Sequence, residues 1–250
     1  LWNEYSRAHR LALTLPAGGI ETKILKGGIV MNKIAFILCL LSLTFLFIGP
    51  GFASAQAQEL KEIKLPSPQL EGGRPLMQAL KDRHSSREFS AEKLPLQVLS
   101  NLLWAANGVN RPDSKKRTAP SAVNWQNIDI YVALAEGLYL YDPLEHSLKP
   151  ILGEDIRALT GRQEFVKDVP LNLVYVADFS KITRGTDEDK NFYSAAHTGF
   201  ISQNVYLYCA SEGLATVVRG LVDREAIAKA LKLRPDQKVM LAQSVGYPKK

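Results

Sequence analysis

The sequence predicts an α+β domain over residues 75–250, and three observations carry that reading. Apolar residues recur at helical spacing in Pro95 to Ala106, and a long helical stretch runs from Asp187 to Glu212. Ile128 to Ala135 alternates and is rich in β-branched and aromatic residues, as a half-buried strand does. Leu171 to Ala177 is apolar without interruption, the pattern of a strand covered on both faces. Helices and strands interleave with no internal repeat, which suits an α+β or three-layer sandwich.

The elements follow in order. Pro75 to Asp82 reads as a short amphipathic helix with Leu76 and Leu80 on one face. Pro95 suits the first turn of the next helix, where Leu96, Leu99, Leu102 and Leu103 make an apolar face and Asn107-Gly108 ends it. Residues 107–127 read as a polar loop with Asn110, Arg111, Lys115, Lys116 and Arg117. A loop this long in a compact domain is usually functional or disordered. After the strand to Ala135, Gly137 and the run Leu138 to Tyr141 predict a hairpin, and Asp155 to Thr160 a short helix. Gly213 stops the long helix; Leu214 to Val218 is a strand, Asp223 to Leu231 a capped helix, and Val239 to Val245 a last strand.

The front of the chain has a different character. Ile34 to Ile48 is almost wholly apolar, follows Met31-Asn32-Lys33, and leads to small-x-small sites at Ala53-Ser54-Ala55 and Ala55-Gln56-Ala57. This pattern predicts a secretory signal peptide over residues 31–57. The run is shorter than the ~20 residues of a spanning helix, and Gly49-Pro50-Gly51 breaks it, so no membrane anchor is expected after cleavage. Lys26-Gly27-Gly28 can be encoded by a ribosome-binding sequence shortly before Met31, so residues 1–30 are expected to be upstream sequence read as protein. Residues 58–74, with Pro66, Pro68, Gly72 and Gly73, read as a linker or N-terminal arm. The expected location is periplasmic or secreted.

Removing residues 1–55 changes the charge argument. The full chain has 31 basic and 25 acidic residues; the front holds five and two of these, leaving 26 and 23, a net charge of about +3. A nucleic-acid partner is therefore not expected. Cys209 then has no partner for an intrachain disulfide and reads as core. His84, His146 and His197 have no second ligand at metal spacing, so no metal site is expected. No G-x-G-x-x-G follows a strand, which removes the support for a dinucleotide fold.

The run Arg83-His84-Ser85-Ser86-Arg87-Glu88-Phe89 carries the chemistry. Alternate residues of an extended segment point to one side, so Arg83, Ser85 and Arg87 would converge on one target. Guanidinium forks and a hydroxyl suit a phosphate, although a solvated basic turn has the same composition. Trp125, Phe192 and Tyr193 are either core or the wall of a substrate pocket.

That run resembles the N-terminal flavin motif of the nitroreductase family. Pro120-Ser121-Ala122-Val123-Asn124-Trp125-Gln126 is similar to the family's Pro-Ser-x-x-Asn-x-Gln loop, and Gly199 to Leu207 to its Gly-x-x-x-Gln-Asn-x-x-Leu helix. Gly213 to Thr216, Val218-Arg219-Gly220 and Val245-Gly246-Tyr247-Pro248 follow in the family's order.

The resemblance implies a three-layer α/β/α sandwich with a mostly antiparallel sheet, and a homodimer binding FMN at the subunit interface. It implies that Arg83 and Ser85 bind the phosphate and ribityl chain, and that Arg87 lies near the pyrimidine edge. Asn124 would hydrogen-bond the flavin. Arg219-Gly220 would present a backbone N–H to flavin N5, and Lys249 and Lys250 would complete the phosphate site. At Arg219 only the backbone role carries over, and a solvated terminus is an equal reading of Lys249-Lys250. The implied activity is ping-pong transfer of hydride or electrons from a donor to a small-molecule acceptor, with no side chain acting as catalytic acid or base. Two alternatives stay open: a flavin-binding protein without turnover, and a dehydrogenase of modified peptides.

Overall fold

The computed structural model describes residues 59–250. The upstream reading of residues 1–30 and the signal-peptide reading of 31–57 lie outside the described residues. Four helices, α1 (Leu76–Asp82), α2 (Leu96–Asn107), α3 (Asp187–Glu212) and α4 (Arg224–Ala230), accompany nine strands. The strands are β1 (Ile63–Lys64), β2 (Val109–Arg111), β3 (Lys116–Arg117), β4 (Ile128–Leu134), β5 (Gly137–Asp142), β6 (Ser147–Leu152), β7 (Leu171–Asp178), β8 (Ala215–Arg219) and β9 (Gln237–Gly246).

Seven strands form one sheet in the order β1-β6-β5-β4-β7-β9-β8, and each neighbouring pair is antiparallel. The side-chain period of two divides the core between its faces. Ile128, Ile130 and Val132 of β4, with Leu171, Leu173, Tyr175 and Ala177 of β7, pack beneath α2 and α3. Tyr131 and Ala133 of β4, with Val174 and Val176 of β7, join Ile156 and Val222 beneath Ile227 and Leu231 of α4 and its C-terminal end. Every residue of β7 is buried, the polar Asn172 and Asp178 included, as befits a mostly apolar strand between two helical layers.

The ends of α3 are fixed chemically. Thr186 Oγ1 accepts the Asp189 N–H at 3.2 Å, while the Asp189 carboxylate accepts the Thr186 N–H at 2.9 Å, closing a capping box. Gly213 ends the helix at φ 71°, a left-handed turn that a side chain would oppose. Cys209, one turn before it, is fully buried, and burial pushes its thiol up. Among the described residues no helix is long and apolar enough to cross a membrane.

Three expectations change. The Leu76–Leu80 face of α1 turns outward, because the helix packs through Ala79; Leu76 and Leu80 are exposed. Residues 107–127 are not an open loop: β2 and β3 form a hairpin around one turn at Pro112–Ser114. Arg117 secures it, donating to Gln126 Oε1 at 3.0 Å and to the Asn107 carbonyl at 3.3 Å. Strand β6 extends the predicted hairpin by a third strand and contains Pro150, a residue that ordinarily interrupts a ladder. It is tolerated because β1 covers only Ser147 and Leu148, and the β5 register shifts opposite Pro150. Of the two readings of residues 58–74, the described part from Glu59 onward is an arm docked on the domain: Leu65 is buried, Ser100 Oγ donates to the Pro66 carbonyl at 2.5 Å, and Gln69 N–H to Asn101 Oδ1 at 2.9 Å.

Candidate functional site

Leaving α1, the chain runs extended past the open edge of β8. Ser86 N–H donates to the Thr216 carbonyl at 3.0 Å. Farther on, Ser90 N–H donates to the Tyr247 carbonyl at 2.8 Å, Lys249 N–H donates to the Glu88 carbonyl at 3.3 Å, and Phe89 bridges Pro248. The basic array therefore lies between a sheet edge and the C-terminal segment, with Lys249 and Lys250 exposed beside it.

Tyr206 on α3 is the hub. Its hydroxyl lies 2.7 Å from Ser85 Oγ and accepts the Val218 N–H at 2.9 Å. Its ring lies beneath the Arg83 guanidinium, 5.3 Å from carbon to centroid, a cation–π arrangement. Arg83 and Ser85 are thereby joined to the strand that carries Arg219-Gly220. Arg83 and Arg87 take part in none of the ion pairs among the described residues. At Gly220 a β-carbon would meet only Leu241 Cδ2, at 3.7 Å, so the backbone there is open to approach. Uncompensated guanidinium groups beside an open backbone edge fit an anionic group with a planar ring.

Arg219 turns the other way. Only 4% exposed, it donates to the Thr160 carbonyl at 2.6 Å and to Asn172 Oδ1 at 3.0 Å. Burial lowers its pKa to about 10, so it stays charged at neutral pH. Its side chain is absent from the open edge, leaving the backbone of Arg219-Gly220 to face it.

Asn124 belongs to a second cluster. Val123, Asn124 and Gln126 have φ of 52°, 57° and 49°, so side chains occupy left-handed backbone that favours glycine. His197 of α3 holds this loop. Its Nε2 accepts the Ala122 N–H at 2.8 Å, so the proton resides on Nδ1, which donates to Asn127 Oδ1 at 2.7 Å. Asn127 Nδ2 in turn donates to Ser194 Oγ at 2.8 Å. Burial pushes the His197 pKa down, which keeps this tautomer neutral. Asn124 is exposed, its Oδ1 accepting from Gln126 Nε2 at 2.9 Å.

Trp125, Phe192 and Tyr193 do come together, with ring centroids 5.5 Å apart for Trp125–Tyr193 and 5.3 Å for Phe192–Tyr193. Among the described residues no hydrogen bond joins the Asn124 cluster to the Arg83 cluster. Their anchors, His197 and Tyr206, are nine residues apart on one helix, about 13 Å along its axis. A single chain thus presents two separate half-sites.

Sequence reasoning missed both anchors. Tyr206 reads as one more aromatic in an apolar helix, and His197 was considered only as a metal ligand. The resembling stretch Gly199 to Leu207 contains Tyr206, which was the available signal.

Comparison with known proteins bears on the family and the fold. The family profile described as the nitroreductase family matches residues 80–247. A curated protein of Methanocaldococcus jannaschii, described as a candidate nitroreductase, is 33% identical over 189 residues, covering 72% of this chain and 89% of its own length. A crystal structure of a candidate nitroreductase from Ralstonia eutropha superposes with a TM-score of 0.73 at 44% identity, covering 76% of this chain and 91% of that one. A candidate nitroreductase from Desulfovibrio desulfuricans, solved in complex with FMN, superposes with a TM-score of 0.51 at 21% identity, covering 71% and 88%; at that identity the likeness is one of fold.

Proposed function

The chain belongs to the nitroreductase family, and from that premise we propose that it is an FMN-dependent oxidoreductase working by two half-reactions, with a donor and then a small-molecule acceptor at the same face of the cofactor. The observation that carries the proposal is the convergence on Tyr206: Arg83 and Ser85 from one segment and the Val218-Arg219-Gly220 backbone from another. The flavin, when bound, supplies the redox chemistry. Arg83 and Ser85 hold its phosphate and ribityl chain, with Lys249 and Lys250 adding positive charge at the C-terminal side. Arg87 stands near the pyrimidine edge, and the Gly220 backbone N–H orients the reacting edge.

Asn124 then comes from a second copy. The two half-sites are separated along α3, so a homodimer that opposes them completes the cofactor site. The aromatic trio at Trp125, Phe192 and Tyr193 lies beside Asn124 and would wall the acceptor's approach. Export through a cleaved leader at residues 31–57 is part of the same proposal. N-terminal sequencing of the native protein should then start between Gln56 and Glu59; a retained Met31 would refute it.

One preparation tests the function. Residues 56–250, purified and titrated with FMN, should take up one flavin per chain, acquire its visible spectrum, and bleach under an electron donor in anaerobic solution. Uptake without bleaching by any donor would favour a flavin-binding protein without turnover. Failure to take up FMN would refute the assignment.

A further inference from the structure

Among the described residues, the Arg219 guanidinium is a buried cation with no carboxylate partner. Its hydrogen-bond acceptors are the Thr160 carbonyl at 2.6 Å, Asn172 Oδ1 at 3.0 Å and Thr160 Oγ1 at 3.4 Å, all neutral. Its Nε is buried with no partner, and so is Gln163 Oε1 nearby. The enclosure is built to hold this group: a β-carbon at Gly161 would collide with Nη1. Asn172 is itself fixed, its Oδ1 accepting Ser244 Oγ at 2.5 Å and its Nδ2 donating to the Val166 carbonyl at 2.8 Å. Burying a charge among neutral dipoles costs stability, and a well-packed apolar residue would serve the fold better. The cage preserves the charge instead of neutralising it.

We propose that Arg219 is a positioning residue whose uncompensated buried charge stabilises the negative charge arriving at the neighbouring cofactor site on reduction. The inference rests on the flavin reading above. Hydride transfer from a donor carries two electrons and one proton, so one negative charge is left for the protein to balance. Exposed Arg87 is screened by water and salt, whereas a buried charge acts through a medium of low dielectric. Arg219 directly precedes Gly220 in the chain, so the strand that presents the open backbone edge also holds the charge. Its side chain lies in the interior, where solvent anions cannot neutralise it.

The test uses FMN-loaded protein and compares Arg219→Gln, Arg219→Lys and Asn172→Asp with the parent. Arg219→Gln removes the charge. Asn172→Asp leaves the arginine in place but gives it a buried counter-ion, which covers the case in which the glutamine variant does not fold. Spectroelectrochemistry should give a more negative midpoint potential for Arg219→Gln and Asn172→Asp, while Arg219→Lys stays near the parent. Reduced FMN should bind about tenfold more weakly to the two neutralised variants, with oxidised FMN changed by less than about threefold. Unmoved potentials in both folded variants, or equal losses for oxidised and reduced FMN, would overturn the inference and leave the flavin reading standing. A parent protein that takes up no FMN would overturn both.

Discussion

The hydroxyl of Tyr206 lies 2.7 Å from Ser85 Oγ and accepts the Val218 N–H at 2.9 Å. One oxygen thus ties the basic segment after α1 to the edge strand β8, which share only one backbone hydrogen bond nearby, Ser86 N–H to the Thr216 carbonyl. The relative position of the two segments depends on that phenol.

Tyr206→Phe should therefore weaken both fold and cofactor site. The ring beneath Arg83 is kept, but a partly buried N–H and a serine hydroxyl lose their partner. Leaving a buried donor unpaired costs about 1–3 kcal/mol. Thermal denaturation should show that loss, and FMN titration a weaker complex. Tyr208→Phe is the control, because its hydroxyl makes only a 3.4 Å bond to the Val98 carbonyl. Equal effects from both variants would dismiss the hub.

Arg83→Ala should weaken FMN binding more than Lys116→Ala. Each removes one positive charge, so the long-range field changes alike. Only Arg83 stands over Tyr206 in the array; Lys116 lies exposed on β3. A charge-assisted hydrogen bond is worth about 1.5–3 kcal/mol, or roughly ten- to a hundredfold in Kd. Fluorescence titration measures the difference, and identical losses would reduce the array to a basic turn.

Stability should fall as pH drops below about 6.5, in part through His197. Burial lowers its folded pKa, so the unfolded chain takes the proton first. The stabilisation is fully present above the unfolded pKa and is lost as pH falls towards the folded one. Protonation would also set a second N–H against the Ala122 N–H. His146 shifts in the same direction, also by burial, so the slope has two sources. His197→Gln can keep both hydrogen bonds without titrating, and chemical denaturation from pH 5 to 8 should show a shallower slope. An unchanged slope would assign the effect elsewhere.

Phe192 and Phe200 are 66% and 45% exposed, large apolar groups two turns apart on one face of α3, beside the Asn124 loop. A stable dimer needs such a face. Light scattering should give twice the chain mass for the parent, and the monomer mass for a Phe192→Glu, Phe200→Glu double variant. If Asn124 acts across the interface, the monomer should also lose FMN. A parent that is monomeric at micromolar concentration with FMN bound would refute the dimer.

What could be read in advance depended on locality. β4, β7 and α3 announce themselves because alternation, an unbroken apolar run and a Gly213 stop are local signals. Asp223 was legible for the same reason: its carboxylate accepts the Ala226 N–H at 3.0 Å, three residues on. β6 was hidden by Pro150, whose tolerance depends on how short β1 is. The β2–β3 hairpin lacks any apolar alternation and is secured by Arg117 reaching Gln126. At the site, the segments were legible by resemblance but their anchors were not. Tyr206 meets Ser85 across 121 positions and His197 meets Ala122 across 75, distances over which sequence spacing carries no geometry.

The bridge between Phe89 and Pro248 joins the basic segment to a residue about 160 positions away. Contacts of such high order form late, because a long loop must close before they return any free energy. A chain emerging from a ribosome holds Arg83 to Arg87 long before Tyr247 to Lys249 exist beside it. A chain interrupted before Tyr247 therefore lacks the clamp over its own basic array.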